Sequence, residues 1–177
     1  DFMRLVAHTP ELEVFTISNP VGRTTIDFQD PSAVRMLNRA LLKTYYDVDF
    51  WDIPANYLCP PIPGRVDYIH YLADLLSGSN NQEIPRGRHV KALDIGTGAS
   101  LVYPLGGQSE YGWHFTGVDI DSAAIKSAQQ ICEFNKLNIA LRRQNIPENI
   151  FRGVIGPKDA FHITLCNPPF HASMEQA

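Results

Sequence analysis

Three short stretches carry residue types that can do chemistry. Asp94-Ile95-Gly96-Thr97-Gly98 closes an apolar run that reads as a strand. Ligands of open α/β sheets bind at the carboxyl ends of strands, and glycine there lets the backbone turn sharply and approach a ligand closely. Leu101 stands where a dinucleotide fingerprint needs a third Gly or Ala, so NAD fits poorly and an oxidoreductase is disfavoured. Asp119 lies 25 residues beyond Asp94, at the end of the next expected strand. A carboxylate there can accept hydrogen bonds from both ribose hydroxyls of an adenosine cofactor. Its plain alternative is that Asp119 or Asp121 caps the following helix. Asn167-Pro168-Pro169-Phe170 then follows an apolar strand over 161–166. The Asn side-chain carbonyl and the Pro168 backbone carbonyl can both accept from an exocyclic amino group and turn its lone pair towards an electrophile. The prolines stiffen that geometry, and Phe170 offers a face for a flat substrate.

The elements that must position these residues are legible in outline. Residues 12–17 suit a strand or short helix, and 24–28 alternate like a strand. Asp30 and Pro31 form a good helix start, and helical spacing runs over 31–46. Prolines make 47–64 an ordered loop carrying Trp51, Tyr57 and Cys59. A helix over 65–77 follows, with Gly78 suited to its end. The linker-like 77–82 places a domain boundary at 82, separating a small, mainly helical N-terminal module (1–82) from an α/β unit (83–177). In that unit strands are expected over 90–95, 113–120, 139–143 and 161–166, with a helix from Ser122 to about Asn135. Strands alternating with helices imply a parallel sheet with right-handed crossovers.

Composition narrows the class. The chain has 177 residues, 44% hydrophobic and 19% charged, with a net charge of −4, which excludes an intrinsically disordered chain. No apolar run approaches the ~18–20 residues of a membrane span. Cys59, Cys132 and Cys166 lie far apart with no zinc spacing, so no metal is expected and a reducing cytoplasm fits best. The acidity argues against a wholly basic nucleic-acid footprint but leaves local groups: Arg35, Arg39 and Lys43; Arg86, Arg88 and Lys91; Arg142 and Arg143.

Taken together, the glycine turn and Asn167-Pro168-Pro169-Phe170 resemble the Rossmann-like class I S-adenosylmethionine methyltransferases that act on amino nitrogens. Further stretches narrow the match: Trp51-Asp52-Ile53-Pro54, Leu58-Cys59-Pro60-Pro61-Ile62-Pro63-Gly64-Arg65, Asp67-Tyr68-Ile69-His70, Tyr103-Pro104-Leu105, Glu110-Tyr111-Gly112-Trp113 and Thr164-Leu165-Cys166-Asn167. With these the chain resembles, over almost its whole length, the bacterial 23S rRNA adenine-N6 methyltransferases. Eukaryotic relatives of that family methylate adenine in a spliceosomal small nuclear RNA.

The resemblance implies a cofactor, S-adenosyl-L-methionine, and a partner, 23S rRNA or a large-subunit assembly particle. It places Asp94 with the cofactor site and lines the methionine part with Gly96 and Gly98. Asp119 would hold the ribose, Arg65 would reach the carboxylate, and Gln144 and Asn145 would sit near the adenine ring. Asn167, Pro168 and Phe170 would handle the target base, with Asn167 also bordering the cofactor. His171 reads as a packing or surface residue rather than a base. The family carries a basic segment before the position of Asp1 and further strands after that of Ala177, so the sheet is expected to be incomplete here. The neighbouring alternatives are guanine-N2 and glutamine-amide methyltransferases, which use similar loops. From another class, a noncatalytic RNA-binding module is the alternative.

Overall fold

Residues 1–168 are described by a computed structural model of the chain. Asp1 starts helix α1 (Phe2–His8) by accepting from the Met3 amide at 3.0 Å. A 3-10 turn over Pro10–Phe15 leads into a small antiparallel hairpin, β1 (Thr16–Ser18) and β2 (Thr24–Ile26). Asp30 caps helix α2 (Pro31–Tyr46), accepting from the Ser32 amide at 2.8 Å. These elements bury their own small core of Leu5, Leu12, Ile26, Ala33 and Ala40.

Helix α3 (Ile62–Gly78) starts three residues before the expected position. Pro61 is its N-cap and Pro63 lies in the first turn, where a missing N–H costs nothing. Gly78 is the last helical residue and Ser79 the cap. Then come β3 (Lys91–Ile95), α4 (Val102–Tyr111), β4 (His114–Asp119), α5 (Ser122–Phe134), β5 (Ala140–Arg143) and β6 (Ile163–Cys166). The four strands form a parallel sheet in the order β5-β4-β3-β6, as the alternating pattern predicts. The cap of α5 is Asp121, which accepts from the Ala123 amide at 2.8 Å.

Helix α4 has no counterpart in the sequence reading. Pro104, Gly106 and Gly107 argue against a helix on propensity, yet the element is almost wholly buried between α3 and β4. The glycines permit that approach: a Cβ on Gly107 would lie 2.5 Å from the Phe115 ring, and one on Gly106 would lie 3.0 Å from Val66. The main core joins α3 and α4 to the sheet through Val66, Ile69, Leu105, Phe115 and Leu165. Leu93, Val118 and Val154 cover the other face, so the strands are apolar on both sides.

The loop 47–61 is fastened to the α/β unit at three places. Asn135 accepts from the Phe50 amide at 2.9 Å and donates to the Phe50 carbonyl at 2.6 Å. The buried Trp51 indole donates to the Ser100 carbonyl at 2.8 Å. Beyond these, the Tyr57 hydroxyl donates to the Asp121 carboxylate.

Candidate active site

The sheet register brings the singled-out residues to one edge. Ile95 pairs with Val118 on one side and with Cys166 on the other, and Asp119 pairs with Arg143. Gly96, Asp119, Gln144 and Asn167 therefore emerge in a row at the carboxyl ends of four neighbouring strands. After β3 the chain winds outward through β4 and β5, then returns to place β6 on the opposite side of β3. The crevice between β3 and β6 is thus the point where strand order reverses, the usual ligand site of such sheets.

Gly96 and Gly98 adopt φ of +75° and +67°, a region that side chains disfavour. The amides of Gly96 and Thr97 donate to the Val118 carbonyl at 2.8 and 3.0 Å, and the Gly98 amide donates to Asp119 Oδ2 at 2.8 Å. A Cβ on either glycine would meet nothing within 4 Å, so the turn faces open space. Asp119 Oδ1 accepts from the Asp121 amide at 2.9 Å. Each Asp119 oxygen thus takes one protein N–H and keeps a lone pair for a further donor.

Beneath the turn, Asp94 is 0% exposed and neither of its oxygens has a hydrogen-bond partner. Burial pushes its carboxyl up to about 7; nearby Thr97 draws it part of the way back, and the negative charge of Asp119 adds to the rise. The Thr97 hydroxyl is itself buried without a partner, so the two groups do not satisfy each other. A buried carboxyl left without a partner is rare, and this one lies directly beneath the open glycine turn. From α3, half-buried Arg65 donates through Nη1 to the Tyr103 hydroxyl of α4 at 3.2 Å. Arg65 forms no ion pair among the described residues. The set of a carboxyl, an uncommitted guanidinium and a diol-matching carboxylate suits a ligand that combines an amino acid with a ribose.

Gln144 and Asn145 do not share one environment. Gln144 is buried, donating to the carbonyls of Ile150 (3.2 Å) and Arg152 (3.0 Å) and accepting from the Ile146 amide (3.0 Å). Its amide is committed to shaping the 146–152 loop, whereas Asn145 is exposed. Asn167 is half-buried and Pro168 exposed at the end of β6. Phe170 and His171 lie outside the described residues.

Some of the basic groups are occupied. Arg142 grips Asp159 with two hydrogen bonds, at 2.5 and 3.0 Å, and the Val154 carbonyl at 2.6 Å. Arg86 donates to the Glu110 carbonyl at 2.6 Å and covers the Tyr111 ring. Arg35 pairs with Asp52 at 3.5 Å. Two cavities, of about 350 and 400 Å³, lie away from the strand ends, one beside Leu105 and Gln108, the other along α2 beside Arg35 and Met36. Among the described residues no group of three His, Cys, Asp or Glu side chains could hold a metal, and no helix is long and apolar enough to cross a membrane.

Sequence reasoning missed the contributions of Tyr57 and Tyr103. Both fall inside or beside stretches that carried the resemblance, but neither sits in a periodic pattern, and their partners are 64 and 38 residues away.

A parallel β5-β4-β3-β6 sheet with a glycine turn after β3, a carboxylate after β4 and an Asn-Pro corner after β6 defines a Rossmann-like domain of the class I methyltransferase type. The N-terminal domain of human METTL16 in complex with SAH has the same fold, with a TM-score of 0.83 and 32% identity, over 96% of this chain and 65% of that one. The hMettl16 catalytic domain in complex with MAT2A 3'UTR hairpin 6 aligns with a TM-score of 0.77 and 32% identity, over 98% and 57% of the two chains. Residues 1–177 match the model of a family described as RNA methyltransferase, and the chain belongs to that family. It is 63% identical to the ribosomal RNA large subunit methyltransferase F of Pseudoalteromonas translucida, over 100% of this chain and 57% of that protein. The protein of that name from Pseudomonas aeruginosa strain PAO1 is 57% identical, with 54% of its length covered. The chain thus spans about half the length of these curated relatives.

Proposed function

We propose that this chain holds the cofactor site and target-base corner of an enzyme that methylates the exocyclic N6 of a specific adenine in 23S rRNA. The observation that carries the reading is the pairing of Ile95 with Cys166, which sets the Gly96 turn level with Asn167 across the β3–β6 crevice. The names of the curated relatives, which concern large-subunit rRNA, and the SAH and RNA hairpins bound to METTL16 support it.

When bound, S-adenosylmethionine supplies an electrophilic methyl group on a sulfonium sulfur. Asp94, Gly96 and Gly98 suit its amino-acid part, with Arg65 as the counter-charge for its carboxylate. Asp119 accepts from the ribose hydroxyls with the lone pairs left free by Gly98 and Asp121. Gln144 contributes by fixing the loop beside the adenine ring, and exposed Asn145 is the residue able to touch it. Asn167 accepts a hydrogen bond from one N–H of the target amino group through its side-chain carbonyl, and the Pro168 carbonyl accepts one from the other N–H. Held by two acceptors, the nitrogen is drawn out of conjugation with its ring. The base must leave its stack to reach this corner, and Phe170 restores part of the lost stacking, worth ~1–3 kcal/mol.

The test uses the full-length protein, labelled S-adenosylmethionine and unmodified 23S rRNA, with wild type beside Asn167→Ala. Nucleoside digestion should give labelled N6-methyladenosine from the wild type and at least ~100-fold less from the variant at saturating cofactor. Labelled N2-methylguanosine would change the substrate. No labelled nucleoside from rRNA or particles would redirect the reading to a protein amide or to a noncatalytic module.

A further inference from the structure

The loop 47–61 comes from the N-terminal half of the chain, yet its last anchor lies against the cofactor-side residues. The Tyr57 hydroxyl donates to Asp121 Oδ2, while Asp121 Oδ1 caps α5 through the Ala123 amide. The Asp121 backbone amide in turn holds Asp119 Oδ1, and Asp119 Oδ2 holds the Gly98 amide of the glycine turn. One unbroken series of hydrogen bonds therefore runs from Tyr57 to the turn.

The loop does not need this bond in order to dock. Phe50 is clasped by Asn135, and Trp51 is buried with its indole N–H on Ser100. Tyr57 is half-buried with its ring packed against the main core, so a Phe in its place keeps that packing and removes only the hydroxyl. Nor does α5 need it, because the Ala123 bond alone completes the cap. What the hydroxyl does is fix the rotamer of a carboxylate next to a second carboxylate. The Tyr57 donor is the first cause holding Asp121 below the usual carboxylate range, and the Tyr57 hydroxyl itself is pushed up to about 12, so it stays a donor at all working pH values.

We propose that Tyr57 is a positioning residue for the ribose site: through Asp121 it sets the orientation of Asp119, and so couples the N-terminal loop to affinity for an adenosine cofactor. The proposal rests on the methyltransferase reading. It assigns Tyr57 to cofactor affinity and not to RNA binding or to the chemical step.

The experiment takes full-length wild type, Tyr57→Phe, Asp121→Asn and the double variant. The Kd for S-adenosylhomocysteine is measured by calorimetry, the Kd for 23S rRNA by filter binding, and kcat at saturating cofactor by methyl incorporation. Phe keeps the ring and Asn keeps a capping oxygen, so each variant retains its packing or its cap. Tyr57→Phe should weaken S-adenosylhomocysteine binding about five- to tenfold, with the RNA Kd and kcat within about twofold of wild type. The double variant should be no weaker than Asp121→Asn alone, since the two residues act through one bond. Unchanged S-adenosylhomocysteine affinity in Tyr57→Phe would overturn the proposal. So would an equal loss of RNA affinity, or a double-variant loss equal to the product of the single ones. Failure of the wild type to bind S-adenosylhomocysteine would instead overturn the methyltransferase reading, and this proposal with it.

Discussion

The amide of Gly98 donates to Oδ2 of Asp119 at 2.8 Å, which ties the turn after one strand to the carboxylate after the next. The two residues form one rigid unit although they stand 21 positions apart. A carboxylate fixed in this way presents its remaining lone pairs in a set direction, and that is what a ribose diol requires.

Removing that carboxylate should therefore cost affinity twice, once for the ligand contact and once for the turn. A hydrogen bond to a charged group is worth ~1.5–3 kcal/mol, or ~10–100-fold in Kd. Asp119→Ala should weaken S-adenosylhomocysteine binding towards the top of that range. Asp119→Asn, which keeps one acceptor, should lose about tenfold. Calorimetric titration of both variants in parallel checks the order; an Ala variant that binds as tightly as the Asn variant would contradict it.

Asp94 makes a pH prediction with a definite sign. Its carboxyl titrates near ~4 in an unfolded chain and at about 7 when folded. Between those values the folded chain holds a proton that the unfolded chain has released. Stability from this group is therefore full below pH ~4 and is lost as the pH rises towards ~7. Asp121 and Asp159, whose partners hold them below the usual range, tilt the other way, losing their contribution as the medium becomes acidic. The useful quantity is thus the difference between wild type and Asp94→Asn in urea titrations from pH 4 to pH 8. Wild type should lose ground steadily against the variant as pH rises, by a few kcal/mol at most. Parallel curves would refute the assignment.

Gly107 tests the packing of α4. A methyl group there would sit 2.5 Å from the Phe115 ring, and both are buried. Gly107→Ala should cost ~1–3 kcal/mol by overpacking. Gly64→Ala, which meets nothing within 4 Å in a helical first turn, should be neutral or slightly stabilising. Thermal melts of the two variants should move in different directions or by clearly different amounts.

The buried amide of Gln144 makes three hydrogen bonds to its own loop. Gln144→Ala should leave those backbone groups poorly satisfied, at ~1–3 kcal/mol, and loosen residues 146–155. Hydrogen exchange should speed up in that segment while β3 and β4 stay protected. Equal exchange in both proteins would show that the loop holds itself.

Local features of this site were readable because their causes are local. Glycine at a left-handed position, Asp30 before Pro31, and an apolar strand ending in Asn167-Pro168 each state their geometry within a few residues. The strands announced themselves through short apolar runs, and the parallel order followed from their alternation with helices. Arg142, by contrast, looked like a free surface cation and is spent on Asp159. Gln144 looked like a ligand contact and is spent on its own loop.

What the sequence by itself determined, then, was where three local features fall at strand ends: the turn at Asp94–Gly98, the acid at Asp119 and the corner at Asn167 and Pro168. Tertiary structure alone decided how they are aimed. Helix α4 forms against its propensity because burial between α3 and β4 outweighs the cost of two glycines and a proline. Tyr57 reaches Asp121 across 64 residues, and Arg65 reaches Tyr103 across 38. Such contacts depend on where distant elements pack, and a hydrogen bond between remote side chains leaves no periodic trace in the chain that makes it.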